Sequence, residues 1–197
     1  MPKLIRSSCF AALLALPFSV SADLSQVPSG EYTLDSSHGY LTFTYSHLGF
    51  SNPRVGFNRF DTKLALDSNN PENSTVEVTI DASSIDSRVA EFNEHLNSGD
   101  FFNTAKYPTI TFKSTKVEAT GENTFDVTGD LTILGTTKSV TLATTINGAG
   151  IHPLKKVPTV GVSASTKLMR SEWGLGAYVP AVSDEVELSI EVELLSE

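Results

Sequence analysis

The stretch Glu185-Val186-Glu187-Leu188-Ser189-Ile190-Glu191-Val192-Glu193-Leu194 alternates strictly, apolar at even positions and Glu or Ser at odd ones. Successive side chains of a strand point to opposite faces of its sheet, so this pattern predicts a strand with one face in a core and the other in water. The same period recurs in Leu41/Phe43/Tyr45, Val76/Val78/Ile80, Ile110/Phe112, Phe125/Val127/Leu131/Ile133, Val140/Leu142/Ile146 and Val160/Val162/Ala164. Between Val55 and Leu66 the apolar parity switches from odd (Val55, Phe57) to even (Phe60, Leu64, Leu66), which predicts a β-bulge near Asn58-Arg59. Glu31 to Asp35 reads as a short strand, either separate or a bent start to the next one.

Turn chemistry separates these runs at Ser68-Asn69-Asn70-Pro71, Gly121-Glu122-Asn123, Leu134-Gly135-Thr136-Thr137 and Asn147-Gly148-Ala149-Gly150. One segment breaks the period. Arg88 to Gly99 sets Val89, Phe92 and Leu96 at helical spacing, with Asp86 or Ser87 as cap and Gly99 as stop, and predicts a short amphipathic helix. About eight antiparallel strands can form a sandwich or a closed barrel. Closure removes edges that invite aggregation, and eight strands is the number at which a barrel just encloses one small ligand. The expected fold class is therefore all-β, an eight-stranded antiparallel barrel with one short helix in a loop.

The N-terminus changes the picture of location. Lys3 and Arg6 precede an apolar run from Cys9 to Val20, then small residues at Val20-Ser21-Ala22, the three parts of a cleaved signal peptide. That run holds Pro17 and is shorter than the ~20 residues a membrane span needs. We expect a leader over 1–22, a single domain over 23–197, and export of the mature chain. Cys9 is the only cysteine and lies in the leader, so disulfide and thiolate chemistry are not expected of the mature chain. Acidic side chains outnumber basic ones 23 to 14, for a net charge of −9. Nothing resembles the basic stripe that displaces counterions from phosphate, so nucleic acid is not an expected partner. Charge-driven attachment to a membrane surface is disfavoured for the same reason.

Candidate chemistry is sparse. The histidines are His38, His47, His95 and His152, with no HExxH pair, no Cys/His cluster, no GxSxG elbow and no phosphate-cradling glycine loop. No catalytic residue and no metal site are therefore expected. His95 falls on the polar side of the helix and reads as solvated. His47 ends the inward run Leu41/Phe43/Tyr45/His47, at a rim, as a hydrogen-bonded residue or as a polar contact for a ligand. The Glu ladder near the C-terminus reads as a solvated sheet face, and Asn73-Ser74-Thr75 as a chance sequon. Large aromatics are in excess, with 11 Phe and 5 Tyr. They form either a packed aromatic core or the lining of a cavity for an apolar ligand. An outer-membrane barrel would turn the apolar face to lipid and the Glu ladder inward, where too few basic side chains exist to neutralise it.

Several stretches resemble the YceI-like family, also called polyisoprenoid-binding or extended-lipocalin proteins. They are Tyr32-Thr33-Leu34-Asp35-Ser36-Ser37-His38, Tyr45-Ser46-His47-Leu48-Gly49 and Gly56-Phe57-Asn58-Arg59-Phe60. The block Gly99-Asp100-Phe101-Phe102-Asn103, with Lys106 to Phe112 behind it, is the most distinctive, and Gly129 to Lys138 and Met169 to Leu175 complete the likeness. Two positions depart from the family's habit: Gly39 where Ser is usual after the histidine, and Trp173 where Phe is common.

The resemblance implies a lipocalin-like barrel in the periplasm that binds a long-chain isoprenoid, as isoprenoid quinone or polyprenyl phosphate, or a similar amphiphile, without turnover. Phe43, Tyr45, Phe57 and Phe60 are then expected to contact the tail, with Phe101, Phe102, Phe112 and Trp173. His47, Arg59, Arg88, Asn93 and Arg170 are the weaker candidates for the head group, because Arg grips a phosphate through paired donors. No cofactor is expected beyond such a bound lipid, stable membrane insertion is not expected, and a homodimer is left open. The alternative is a barrel enzyme or stress-response interaction protein with a packed core and no cargo.

Overall fold

The computed structural model describes residues 22–197, so the expected leader lies outside the described residues except for Ala22. The chain order is β1 (Gly30–His47), β2 (Arg54–Phe57), β3 (Phe60–Leu66), β4 (Thr75–Asp81), β5 (Ile85–Asp86), α1 (Ala90–Asn97), β6 (Thr109–Ala119), β7 (Thr124–Ile133), β8 (Thr136–Ile151), β9 (Pro158–Met169) and β10 (Val182–Ser196). Every pairing is antiparallel, and β10 pairs back onto β1, so the sheet closes. β2 and β3 are one broken stave, interrupted at Asn58-Arg59 where the parity switch predicts a bulge. Both halves pair with β1, β2 along its second half and β3 along its first. β4 and β5 are likewise one stave broken by a turn of 3-10 helix at Ala82–Ser84. Eight staves result.

Alternation decides which face is inside. Along β6 the inward Ile110, Phe112 and Ser114 are buried while Thr109, Thr111 and Lys113 are exposed. On β10 Glu185, Glu187 and Glu191 face outward, and Val186, Val192 and Leu194 are buried. The apolar faces meet in the interior and the Glu ladder meets solvent, the reverse of a lipid-facing barrel.

The β1–β10 seam carries the largest irregularity. Leu34 pairs with Leu194 and Gly39 with Val192, so Asp35, Ser36, Ser37 and His38 stand opposite the single residue Glu193. This wide bulge accommodates the Asp-Ser-Ser-His stretch without breaking β1, which runs as one 18-residue strand.

Three local expectations need correction. Asn147-Gly148-Ala149-Gly150 is not a turn: it lies inside β8, and its small residues absorb a register shift between Ile146 and Gly148 against β9. The chain reverses instead after Ile151. Helix α1 begins with Val89 as its cap; Ser87 donates its backbone N–H and hydroxyl to Asn93 Oδ1, at 2.7 and 2.6 Å. Gly99 does not end the helix, because Ser98 does, its hydroxyl donating to the His95 carbonyl at 2.7 Å.

Candidate functional site

Among the described residues, a larger and a smaller cavity lie inside the barrel. The larger, about 760 Å³, opens at the end where β1 finishes and β10 begins. Its wall is built by inward residues of successive staves: Leu41, Phe43, Tyr45 and His47 of β1, Val55 and Phe57 of β2, Leu131 and Ile133 of β7, Val186 and Leu188 of β10. Helix α1 and the segment behind it close one side with Phe92, Leu96, Phe101 and Phe102. The smaller cavity, about 130 Å³, lies towards the other end among residues such as Leu64, Val78, Val127 and Ile190.

The aromatic residues form a connected lining. Phe43 lies 6.4 Å from Tyr45 and 6.1 Å from Phe57, and Phe57 meets Phe102 edge-on at 5.6 Å. At the mouth Phe101 stacks on Tyr178 at 6.1 Å, and His95 packs edge-on against Phe101 at 5.0 Å. His95 is thus half-buried in the cavity wall, not solvated as its helical position suggests, because Tyr178 arrives from the β9–β10 connection to cover it. Trp173 donates its indole N–H to the Leu131 carbonyl at 3.2 Å, fixing the plane it shows to the cavity.

Six of the eight residues expected to meet the tail, Phe43, Tyr45, Phe57, Phe101, Phe102 and Trp173, line the large cavity. Phe60 and Phe112 line neither cavity. Of the head-group candidates, His47 and Arg170 are in the lining. Arg59 lies on the outer wall, 64% exposed, with a 2.7 Å ion pair to Asp81. Asn93 is occupied with Ser87 and Asp86 at the start of α1, and exposed Arg88 donates its backbone N–H to Asp86 at 2.7 Å; neither lines the cavity.

Arg170 is 8% exposed, and its guanidinium is spent on backbone carbonyls. It donates to Leu175, to Ala177 at 2.9 Å, to Val182 at 3.1 Å and to Ser183 at 2.9 Å. Burial pulls its pKa below the usual arginine value, and the same burial raises that of the Tyr45 phenol. The buried cation therefore shapes the connection that overhangs the mouth. Arg54, which the sequence did not single out, stands exposed on β2 at the rim. Arg54 and Arg170 are the charged residues of the lining, which also holds His47 and His95, and no carboxylate lines the cavity among the described residues. In a chain with 23 acidic residues that exclusion suits an anionic or electron-rich head group.

A second polar cluster lies at the seam. Asp35 is 7% exposed, accepts from the Lys155 ammonium, lies 2.9 Å from His38 Nδ1 and accepts from the Ser37 hydroxyl at 2.7 Å. Glu193 Oε2 lies 3.8 Å from His38 and 3.7 Å from His152. Asp35, His38 and Glu193 are close enough to share a cation, but the Lys155 ammonium already sits on Asp35. Ser37 and Asp35 both meet the same ring nitrogen of His38, so this set lacks the two-sided relay of a hydrolytic triad.

Known proteins place the fold. A curated "UPF0312 protein" of Azotobacter vinelandii (strain DJ) is 39% identical over 170 residues, covering 85% of this chain and 88% of the relative. "Protein YceI" of Escherichia coli O157:H7 is 37% identical over 185 residues, covering 92% of this chain and 96% of its own length. Among solved structures, the Campylobacter jejuni YCEI protein superposes with a TM-score of 0.71 at 29% identity, covering 77% of this chain and 90% of that one. A polyisoprenoid binding domain from Saccharophagus degradans superposes with a TM-score of 0.66 at 14% identity, covering 86% and 100%, a likeness of fold alone. Residues 32–194 match the YceI-like domain over nearly the whole barrel, and the chain belongs to that family.

Proposed function

We propose that the protein is an exported carrier that holds the apolar tail of an isoprenoid amphiphile, an isoprenoid quinone or a polyprenyl phosphate, inside the barrel and releases it unchanged. The observation that carries this reading is the large cavity itself: about 760 Å³, walled by aromatic and aliphatic side chains, with cationic residues and, among the described residues, no carboxylate in its lining. Its size lies within the range of small-molecule sites. Burial of the tail is favourable by roughly 25 cal/mol per Å² of apolar surface before ordering costs. His47 and Arg54 at the rim are placed to meet the head group.

The family supports the same reading, since the Saccharophagus degradans neighbour is described as a polyisoprenoid binding domain. The N-terminal leader pattern supports export, with the periplasm as the compartment. A fully packed barrel working only through its surface is disfavoured by the open interior.

The test is native mass spectrometry of protein purified from the periplasm, followed by organic extraction and identification of the mass released. A stoichiometric isoprenoid is the expected result. Protein that arrives empty and also ignores added prenyl lipids overturns the reading.

A further inference from the structure

Between the two cavities several staves present inward residues that line neither, and this level has an unusual make-up. On β7 the inward series runs Phe125 and Val127 in the small cavity, then Gly129 in neither, then Leu131 and Ile133 in the large one. On β4, Val78 belongs to the small cavity and Ile80 to the large. Their partners mark the level between: Phe112 pairs with Val78 and Leu131, and Phe60 with Ile80. On β1 the residue next below Leu41 in the inward series is Gly39.

Two phenylalanines thus share this level with two glycines. A Cβ on Gly129 would come within 2.5 Å of Phe112 Cζ, and one on Gly39 within 3.1 Å of Phe60 Cζ. Each ring, together with Leu34 beside Gly39 and the Lys113 carbonyl beside Gly129, occupies the space that a side chain on the adjoining stave would fill. Both rings lie where neither cavity reaches, between the residues that line the large cavity and those that line the small one.

We infer that the Phe60–Phe112 layer is a floor that sets how much apolar chain the protein accepts. This rests on the proposed carrier function and narrows its substrate class to prenyl amphiphiles whose tail ends within the large cavity. A chain that reaches the floor has buried all it can. Further isoprene units remain outside the mouth in water, or must displace the rings to enter the small cavity. Affinity therefore rises with chain length until the large cavity is filled and falls beyond it. Phe112 is a specificity-determining residue, buried at 6% exposure and held over Gly129.

The experiment uses the mature protein stripped of cargo and a ladder of prenols, farnesol, geranylgeraniol and solanesol, dispersed in non-ionic detergent and followed by native mass spectrometry. The wild type is expected to take the two short prenols and to hold solanesol at least about tenfold more weakly. Phe112→Leu keeps an apolar side chain in the layer but removes the ring, and is expected to raise the occupancy of solanesol relative to geranylgeraniol about tenfold. Phe60→Leu, on another stave, is expected to act in the same direction. Circular dichroism and retained geranylgeraniol binding show that each variant is folded. Equal affinity of the wild type for short and long prenols, or an unchanged ratio in both folded variants, overturns the floor. Refusal of every prenol by the wild type overturns the carrier reading instead, so the two failures are told apart.

Discussion

Arg170 shows how one residue holds the mouth in shape. Its guanidinium donates to the carbonyls of Leu175 and Ala177, in the connection that carries Tyr178 over the cavity, and to those of Val182 and Ser183 at the start of β10. Removing the donors leaves carbonyls in a buried place without partners, each a loss of about 1–3 kcal/mol. Arg170→Met, which keeps the apolar stem, is therefore expected to lower stability by about 3 kcal/mol or more in urea unfolding. A loss well below about 1 kcal/mol would mean that water reaches those carbonyls. The seam residues respond to pH. The Lys155 ammonium, then His38 and Ser37, hold the Asp35 carboxyl well below the usual carboxylate range, while the hydrogen bond to Asp35 and the charge of Glu193 raise the pKa of His38. A depressed acid stabilises above its unfolded pKa, ~3.9, and that support is lost as pH falls towards the folded value. A raised histidine stabilises fully below its unfolded pKa, ~6.5, and that support is lost as pH rises through the folded value. The clasp between the β8–β9 connection and β1 is therefore tightest between those two unfolded values and slackens in alkali. An NMR titration is expected to place the His38 midpoint higher in the wild type than in Asp35→Asn, and identical midpoints would remove Asp35 as the cause.

Elements that depend on local periodicity were legible in the sequence, and those that depend on distant partners were not. The strand pattern from Leu41 to His47 placed all four of its inward residues in one cavity wall, because a two-residue period leaves no choice of face. The break at Asn58-Arg59 was visible as a change of parity. Leu134-Gly135 was readable as a turn, and the structure gives both residues positive φ, 50° and 75°, in the two-residue hairpin joining β7 to β8. Gly135→Ala places a Cβ 3.2 Å from the Tyr107 ring in a left-handed conformation, so a loss of about 1–2 kcal/mol is expected in thermal unfolding. An unchanged melting temperature would show that the hairpin relaxes to another turn. Asn147 to Gly150 misled because Asn and Gly signal a turn and a strand irregularity alike. Tyr178 has no readable role, since it lies in a connection without period, and the helical pattern alone puts His95 in solvent because the ring that covers it comes from that connection. Phe60 and Phe112 looked like ordinary lining residues. What sets them apart, a glycine beside each ring on the adjoining stave, is a matter of register between strands, which the period of a single strand does not carry.

At the scale of the molecule, a hollow barrel has less packing than a filled one, so its cargo should be part of its stability. An apolar interior of about 760 Å³ leaves the wall without contacts on one side until a tail supplies them. A ligand that binds only the folded state adds RT ln(1 + [L]/Kd), about 2.7 kcal/mol at a hundredfold excess over Kd. For a domain of this size that corresponds to a rise in Tm of about 5–10 °C. Geranylgeranyl phosphate added to the stripped protein is expected to give such a rise. Phe101→Asp puts a carboxylate into a lining that has none, beside His95 and Tyr178, and is expected to abolish the rise while leaving a β-rich circular dichroism spectrum. Phe57→Asp is expected to do the same at a greater loss of stability, because Phe57 is only 6% exposed. Arg59→Ala serves as the contrast: the side chain is on the outer wall in an ion pair with Asp81, so the full rise is expected to persist. If Arg59→Ala removes the rise and Phe101→Asp keeps it, the ligand sits against the outer wall and the cavity is not its site.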